Sequence, residues 1–163
     1  MKKTFPILLM LLVLTLLFSM PVYASEGSGP SHEGTVVDIE YLENGDYIVT
    51  VIEDDEIFIP GDATATTVTK TKTSNYYNSS GTRLWNVKVQ GTFSYNGTTC
   101  TCTKASHQAT SYASTWTIIS ASHSKSGNHA TATATARHNF GGGITSDYTR
   151  SVTLTCSPTG VFS

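Results

Sequence analysis

The chain has 163 residues, of which 39% are hydrophobic and 13% charged, and its formal net charge at pH 7 is −2. A chain of this length has room for one domain with a substantial core. Its Lys and Arg residues are dispersed rather than clustered with aromatic side chains, which argues against a nucleic-acid partner.

The first predicted element is a secretory signal peptide over residues 1–24. Two lysines precede an apolar run from Phe5 to Met20, and small residues follow it before a predicted cleavage between Ala24 and Ser25. The alternative is a membrane anchor, but the run has 16 residues, whereas a membrane span needs about 20. No second apolar run follows, so we expect a secreted chain, extracellular or associated with the cell wall, without a transmembrane segment after cleavage.

Two further elements are predicted before the main domain. Residues 25–34, rich in Gly and Ser, form a flexible linker, and residues 35–62 form an acidic β-hairpin with Asn44-Gly45 in a type I′ turn. The side chains expected on one face of the hairpin are Ile39, Tyr41, Tyr47, Val49 and Val51. Because a lone hairpin is marginally stable in water, it must dock on the rest of the chain, pair with a partner or fluctuate.

Charge is divided unevenly along the chain. Residues 25–62 contain 11 acidic and no basic side chains, whereas residues 63–163 contain 8 basic side chains and only Asp147 as an acid. The two parts should attract each other and favour docking of the hairpin. A solvated acidic linker is the alternative, because salt screens exposed charges beyond about 8 Å.

The next two segments are interpreted from their polar side chains. The acidic cluster Glu53–Glu56 lacks the spaced oxygen ligands of a calcium loop and is predicted to be a solvated turn. Residues 63–73 place Lys70 and Lys72 on one parity, which is typical of an edge strand that resists aggregation.

In the second half of the chain, apolar and polar side chains alternate, which predicts strands with one buried face. Asn96-Gly97 predicts a second type I′ turn that pairs Phe93 with Cys100. Cys100 and Cys102 then both point into the core, as does Cys156 from the last strand. A disulfide across the core is expected in an oxidising compartment, with one thiol left unpaired. A zinc site is not expected, because the cysteine spacing does not fit one.

Residues 128–138 alternate Ala with Thr, and Trp116 and Ile118 are expected to point inward from the strand before them. Regular β-branched threonines favour strand over helix here, with the alanines buried. Several short strands between turn residues predict an all-β fold. We expect an immunoglobulin-like antiparallel β-sandwich over residues 63–163, preceded by the acidic hairpin, with a small β-barrel as the alternative.

Six segments share their pattern with known proteins: Tyr76–Gly81, Leu84–Val87, Gly91–Gly97, Ser124–Gly127, the alternating Ala and Thr strand, and Ser151–Ser157. Through them, residues 63–163 resemble small exported proteins of Gram-positive bacteria with a Thr-rich β domain and no assigned activity. The resemblance implies that Cys102 pairs with Cys156. It leaves Cys100 as a candidate free thiol and implies no catalytic residue.

No motif for catalysis, metal binding or a cofactor is found. The residue patterns of serine hydrolases, penicillin-binding enzymes and glycosidases are missing from the main domain. The five histidines lack ligand spacing, and only converging strands could bring them together: His32, His107, His123, His129 and His138. We therefore expect no enzyme and no cofactor.

The expected function is that of a secreted, non-enzymatic module that binds a surface, a cell-wall polymer or another extracellular macromolecule. The candidate contact residues are Tyr76, Tyr77, Tyr112 and Tyr148. Tyrosine combines apolar area with a polar tip at interfaces, although ordinary packing is the alternative for each of them. One alternative function is a masked effector whose acidic N-terminal segment covers a basic face, and a hydrolase ranks last.

Overall fold

The computed structural model describes residues 34–58 and 65–163, without the side chains of residues 54–58. The predicted signal peptide, its cleavage position between Ala24 and Ser25, and the linker as far as residue 33 lie outside the described residues. Within the described residues no helix has the length and apolar character that a membrane span requires.

The described residues form eight β-strands in two antiparallel sheets. The strands are β1 (Thr35–Tyr41), β2 (Tyr47–Phe58), β3 (Thr66–Tyr77), β4 (Arg83–Tyr95), β5 (Cys100–Ser111), β6 (Trp116–Ser126), β7 (His129–Gly141) and β8 (Ile144–Thr155). One sheet has the order β1-β2-β3-β4-β5 and the other β6-β7-β8. The predicted all-β antiparallel sandwich is confirmed, with two open sheets rather than a closed barrel. Its strands follow one another as a meander, whereas immunoglobulin domains use Greek-key connections.

The core lies between the two sheets and follows the predicted alternation. The β4 side chains that point inward include Trp85, Val87, Val89 and Phe93, each at most 2% exposed. They face the fully buried alanines of β7, which are Ala130, Ala132, Ala134 and Ala136. These small side chains let the sheets approach closely, since a Cβ atom built at Gly91 would lie 3.1 Å from the Ala130 Cβ.

The acidic hairpin is built into the larger sheet. β2 pairs with β3 along its length, beginning with Tyr47 opposite Tyr77. From the other sheet, an Arg150 guanidinium nitrogen lies 2.6 Å from a Glu40 carboxylate oxygen on β1. Of the three alternatives for the hairpin, the structure therefore shows docking. The edge strand expected over residues 63–73 is wrong, because the hairpin adds two strands and leaves β3 in the centre of the sheet.

The turn expected at the acidic cluster Glu53–Glu56 is also wrong. β2 continues through these residues as far as Phe58, with an irregularity in its pairing between Asp54 and Glu56. Pairing with β3 supplies hydrogen-bond partners for the backbone N–H and C=O groups of this segment. The acidic composition of the segment did not indicate this pairing.

Both hairpin turns differ from the predicted type I′ geometry. Gly45 and Gly97 have φ values of 84° and 87°, but no other residue type has a positive φ in the described part of the chain, whereas a type I′ turn needs two successive positive φ values. The longer second turn places Phe93 opposite Cys102 rather than Cys100. Next to the turn the shift is two residues, so Cys100 and Cys102 keep their predicted inward direction.

Candidate functional site

Alternate side chains of the five-stranded sheet point away from the core and form its outer face. At one end of this face the register places Tyr41 opposite Tyr47, and Tyr47 opposite Tyr77. Arg83 of β4 lies opposite Tyr77, and Tyr112 follows directly after β5. We call these five side chains the aromatic row. Strand pairing alone brings them together, because they come from distant parts of the sequence.

The members of the aromatic row contact one another. The rings of Tyr47 and Tyr77 are stacked with centroids 5.1 Å apart, and the Tyr41 ring lies 6.0 Å from Tyr47. The Arg83 guanidinium lies 3.9 Å from the centre of the Tyr112 ring, in a cation–π contact. Burial raises the pKa of Tyr77, against the opposing effect of Arg83. The two ends of the row are accessible, since Tyr41 is 77% exposed and Tyr112 47%.

A polar groove of about 240 Å³ lies farther along the same outer face. The residues that line it are Glu53, Thr71, Lys88, Gln90, Ser106, His107 and Gln108. Four of these side chains form a single line across the sheet, because Thr71 is opposite Glu53 and Gln90, and Gln90 is opposite Ser106. One carboxylate, one ammonium group, hydroxyls and amides can both donate and accept hydrogen bonds. The polar groove therefore suits a polar ligand of low net charge.

Buried polar side chains connect the aromatic row with the polar groove. Thr73, Asn75 and Asn86 point to the same outer face and are each at most 4% exposed. The Asn86 amide donates a hydrogen bond of 3.1 Å to the Tyr112 hydroxyl. Thr73 Oγ1 and Asn86 Oδ1 have no hydrogen-bond partner. An unpaired buried polar atom costs about 1–3 kcal/mol, and exceptions of this kind concentrate at functional sites.

The four tyrosines predicted as contacts lie in two environments. Tyr77 and Tyr112 belong to the aromatic row, although Tyr77 is only 5% exposed. Tyr76 and Tyr148 lie between the sheets, with their ring centroids 5.5 and 5.1 Å from that of Trp116. Burial and the neighbouring Asp46 carboxylate raise the pKa of Tyr76 to about 12. The structure thus gathers only two of the four at the candidate site.

Sequence reasoning did not identify the polar groove or the accessible end of the aromatic row at Tyr41. The alternating pattern correctly put Tyr41 and Tyr47 on one face, and the register pairs them directly. Their significance depends on Tyr77, which joins them only because β2 pairs with β3. No local signal in the sequence specifies that pairing, so no signal could have found the whole site.

The three cysteines lie together at one end of the interior. All are free thiols, with Cys102 and Cys156 buried and Cys100 half-buried. Burial, together with a hydrogen bond to the Cys100 thiol, raises the pKa of Cys156 to about 12, and burial also raises the pKa of Cys102. Thiols with raised pKa values are weak nucleophiles at neutral pH. The disulfide predicted between Cys102 and Cys156 stays a prediction.

Two of the scattered histidines are brought together by the fold, since the Nδ1 atoms of His107 and His123 are 2.7 Å apart. By contrast, His138 stacks on Trp116 with centroids 4.4 Å apart, and His129 forms a hydrogen bond with Thr155. In the described segments no three or more His, Cys, Asp or Glu side chains cluster as a metal site.

Comparison of the chain with known protein families, with curated proteins and with solved structures finds no match. The function is therefore inferred from the chemistry of the aromatic row and the polar groove themselves.

Proposed function

We propose that the chain is an exported, non-enzymatic module that binds an uncharged carbohydrate polymer, as found in cell walls. The polymer lies along the outer face of the five-stranded sheet, with one stretch in the polar groove and another against the aromatic row. The observation that leads to this proposal is the combination of stacked aromatic rings and hydrogen-bonding side chains on one sheet face. Ligand sites commonly combine aromatic contact area with a few convergent polar groups.

The aromatic row supports the recognition of sugar rings. A sugar ring has an apolar face of C–H groups and a polar edge of hydroxyls, and tyrosine likewise combines an apolar ring with a polar tip. Tyr41 and Tyr112 expose much of their rings to solvent. Stacking within the row, as between Tyr47 and Tyr77, holds the side chains in place. Side chains ordered before binding lose less conformational entropy when a ligand arrives.

The polar groove supports a ligand without net charge. Glu53 and Lys88 line it together and offset each other's charge. The side-chain amide of Gln108 offers two donors and an acceptor, which matches hydroxyl groups that also donate and accept. A polyanion or a polycation would find no surplus of opposite charge in the groove.

Co-sedimentation with insoluble cell-wall polysaccharide tests the proposal. The mature chain is expected to sediment with the polymer. Tyr112→Ala is expected to weaken binding about 10-fold, because an aromatic contact contributes about 1 kcal/mol or somewhat more. Gln108→Ala is expected to weaken it about 5-fold, because a hydrogen bond contributes about 1 kcal/mol.

Phe140→Ala is the matched control. Phe140 is 54% exposed but lies on β7, in the other sheet. The Phe140→Ala variant should bind the polysaccharide as the unsubstituted chain does. The proposal fails if the unsubstituted chain does not bind neutral wall polysaccharide. An equal loss in Tyr112→Ala and Phe140→Ala would instead indicate nonspecific adhesion and would also contradict it.

Export and a disulfide between Cys102 and Cys156 belong to the same proposal. Disulfides form in oxidising compartments, where the two thiols lose two protons and two electrons to a disulfide-bond-forming oxidoreductase. Mass spectrometry of protein collected from the culture medium should find Ser25 at the N-terminus and a peptide linked through Cys102 and Cys156. The competing partner is Cys100, whose thiol hydrogen-bonds to Cys156. A linked peptide that contains Cys100 and Cys156 would contradict the proposed pairing.

A further inference from the structure

The edges of the two sheets meet at a pair of histidines. His107 lies on β5, at the edge of the five-stranded sheet, and His123 lies on β6, at the edge of the three-stranded sheet. Their Nδ1 atoms are 2.7 Å apart and their ring centroids 4.9 Å apart. The His107 side chain is half-buried and the His123 side chain is exposed, so solvent reaches the pair. At this distance one Nδ1 donates a hydrogen and the other accepts it through a lone pair.

We infer that His107 and His123 form a binding site for a divalent transition-metal ion, with Zn²⁺ and Cu²⁺ as the favoured ions, that links the two sheets. Both Nδ1 atoms coordinate the ion, and water molecules supply the remaining ligands. Neutral imidazole is a good ligand for these ions, whereas Ca²⁺ and Mg²⁺ prefer oxygen ligands.

The present geometry needs little change to hold an ion. The donating ring moves its proton from Nδ1 to Nε2, so that both lone pairs point at the ion and no net proton is released. With metal–nitrogen bonds of about 2.0–2.1 Å, two ligand nitrogens lie about 2.9 Å apart at a right angle and about 3.4 Å apart in a tetrahedron. The two rings therefore have to separate by less than about 1 Å from their present distance. Rotation about the side-chain bonds provides that movement and also turns each Nδ1 lone pair from the partner nitrogen toward the ion.

The surroundings leave the remaining coordination positions to water. No third potential ligand completes a cluster at this pair in the described segments. The nearest basic residue along β6 is Lys125, whose amino group lies 3.4 Å from the Cys102 carbonyl oxygen and is thereby directed toward β5. His107 lies opposite Val89, whose side chain points into the core, so its ring extends toward His123 on β6 and away from Lys88 on the outer face. The metal site does not depend on carbohydrate binding, since its ligands are in place without it.

Isothermal titration of the chelator-treated chain with Zn²⁺ alone tests the inference. The expected result is one ion per chain, with affinity reduced at least 10-fold in both His107→Asn and His123→Asn. Zn²⁺ near 100 times its dissociation constant should raise Tm by on the order of 5 °C. Mg²⁺ at the same concentration should leave Tm unchanged. Neither histidine side chain is fully buried, so both variants are expected to fold, and their circular dichroism spectra verify this.

Two control variants separate this site from other metal ligands. His129→Asn replaces an exposed histidine on β7 that bonds to Thr155, and it should bind Zn²⁺ as the unsubstituted chain does. Cys100→Ala removes the half-buried thiol that the proposed disulfide leaves unpaired, and it should also retain binding. The inference is overturned if the unsubstituted chain binds no Zn²⁺, if His107→Asn and His123→Asn keep full affinity, or if Cys100→Ala loses affinity for Zn²⁺.

Discussion

The outer faces of the two sheets follow the same alternation of side chains but differ in chemistry. On the three-stranded sheet, hydroxyls of β7 form hydrogen bonds with hydroxyls of β8. These pairs, here called the hydroxyl ladder, are Thr131 with Thr153 at 2.9 Å, Thr133 with Ser151 at 2.7 Å, and Thr135 with Thr149 at 2.9 Å. On the five-stranded sheet, the outer face has the aromatic row, the polar groove and two buried polar atoms without partners.

The number of polar residues on a sheet face therefore does not identify a ligand-binding site. The hydroxyl ladder is rich in threonine, but its neighbouring hydroxyls satisfy one another across the strands. The outer face of the larger sheet contains fewer hydroxyl pairs and more buried apolar area, including Val49 and Val51 at 2% exposure. The exposed rings of Tyr41 and Tyr112 and the side chains of the polar groove remain able to contact a ligand.

The largest expected difference between the faces concerns stability. Tyr77→Ala removes a ring that is 5% exposed and stacked on Tyr47, and it should lower the free energy of unfolding by about 3 kcal/mol. Thr133→Ala, in the hydroxyl ladder, should lower it by only about 0.5 kcal/mol. Urea unfolding of both variants measures the two effects. Equal losses of unfolding free energy in the two variants would contradict this prediction and show that the two faces contribute equally to stability.

A matched pair of Thr→Val substitutions should change stability in opposite directions. Thr73 is 2% exposed and its hydroxyl has no partner, so Thr73→Val should raise the free energy of unfolding by about 1 kcal/mol. Thr133→Val loses the hydrogen bond to Ser151 and should lower it by about 0.5 kcal/mol. Thermal unfolding of the two variants at one pH measures the direction of each change in stability. A destabilised Thr73→Val variant would mean that its hydroxyl does form a bond.

The smallest expected effect is a pH dependence at the end of the hydroxyl ladder. Arg137 donates hydrogen bonds of 2.7 and 2.8 Å to the Asp147 carboxylate and lowers its pKa. A carboxyl whose folded-state pKa is lowered stabilises the fold above its unfolded pKa of about 3.9, and this stabilisation is lost as the pH falls through the folded-state pKa. Asp147→Asn should therefore be slightly less stable than the unsubstituted chain at pH 7 and equally stable near pH 2. If Asp147→Asn were still less stable than the unsubstituted chain near pH 2, ionisation of Asp147 could not be the cause of the difference.

Much of the fold could be predicted from the sequence. The alternation placed Trp85, Phe93 and Leu154 in the core, and all three are at most 2% exposed. Errors arose where the identity of the neighbouring strand mattered. Lys70 and Lys72 indicated an edge strand, but β3 is central because the acidic hairpin adds two strands beside it.

The candidate site was predicted only in part, for the same reason. Tyr77 and Tyr112 were identified by residue type, but the polar groove was not, because its side chains come from four strands whose order was unknown. The pairing of His107 with His123 was equally hidden, since it requires the edges of two separate sheets to meet.

By itself, the sequence determined which side chains of each strand face inward and which face outward. That property is local, because successive residues of an extended strand point to opposite sides whatever lies beside them. Only the tertiary structure decided which outward-facing side chains became neighbours, as Tyr47 and Tyr77 did when β2 paired with β3. Strand pairing depends on the free energy of docking segments that are distant in sequence, and on the interior that they jointly bury.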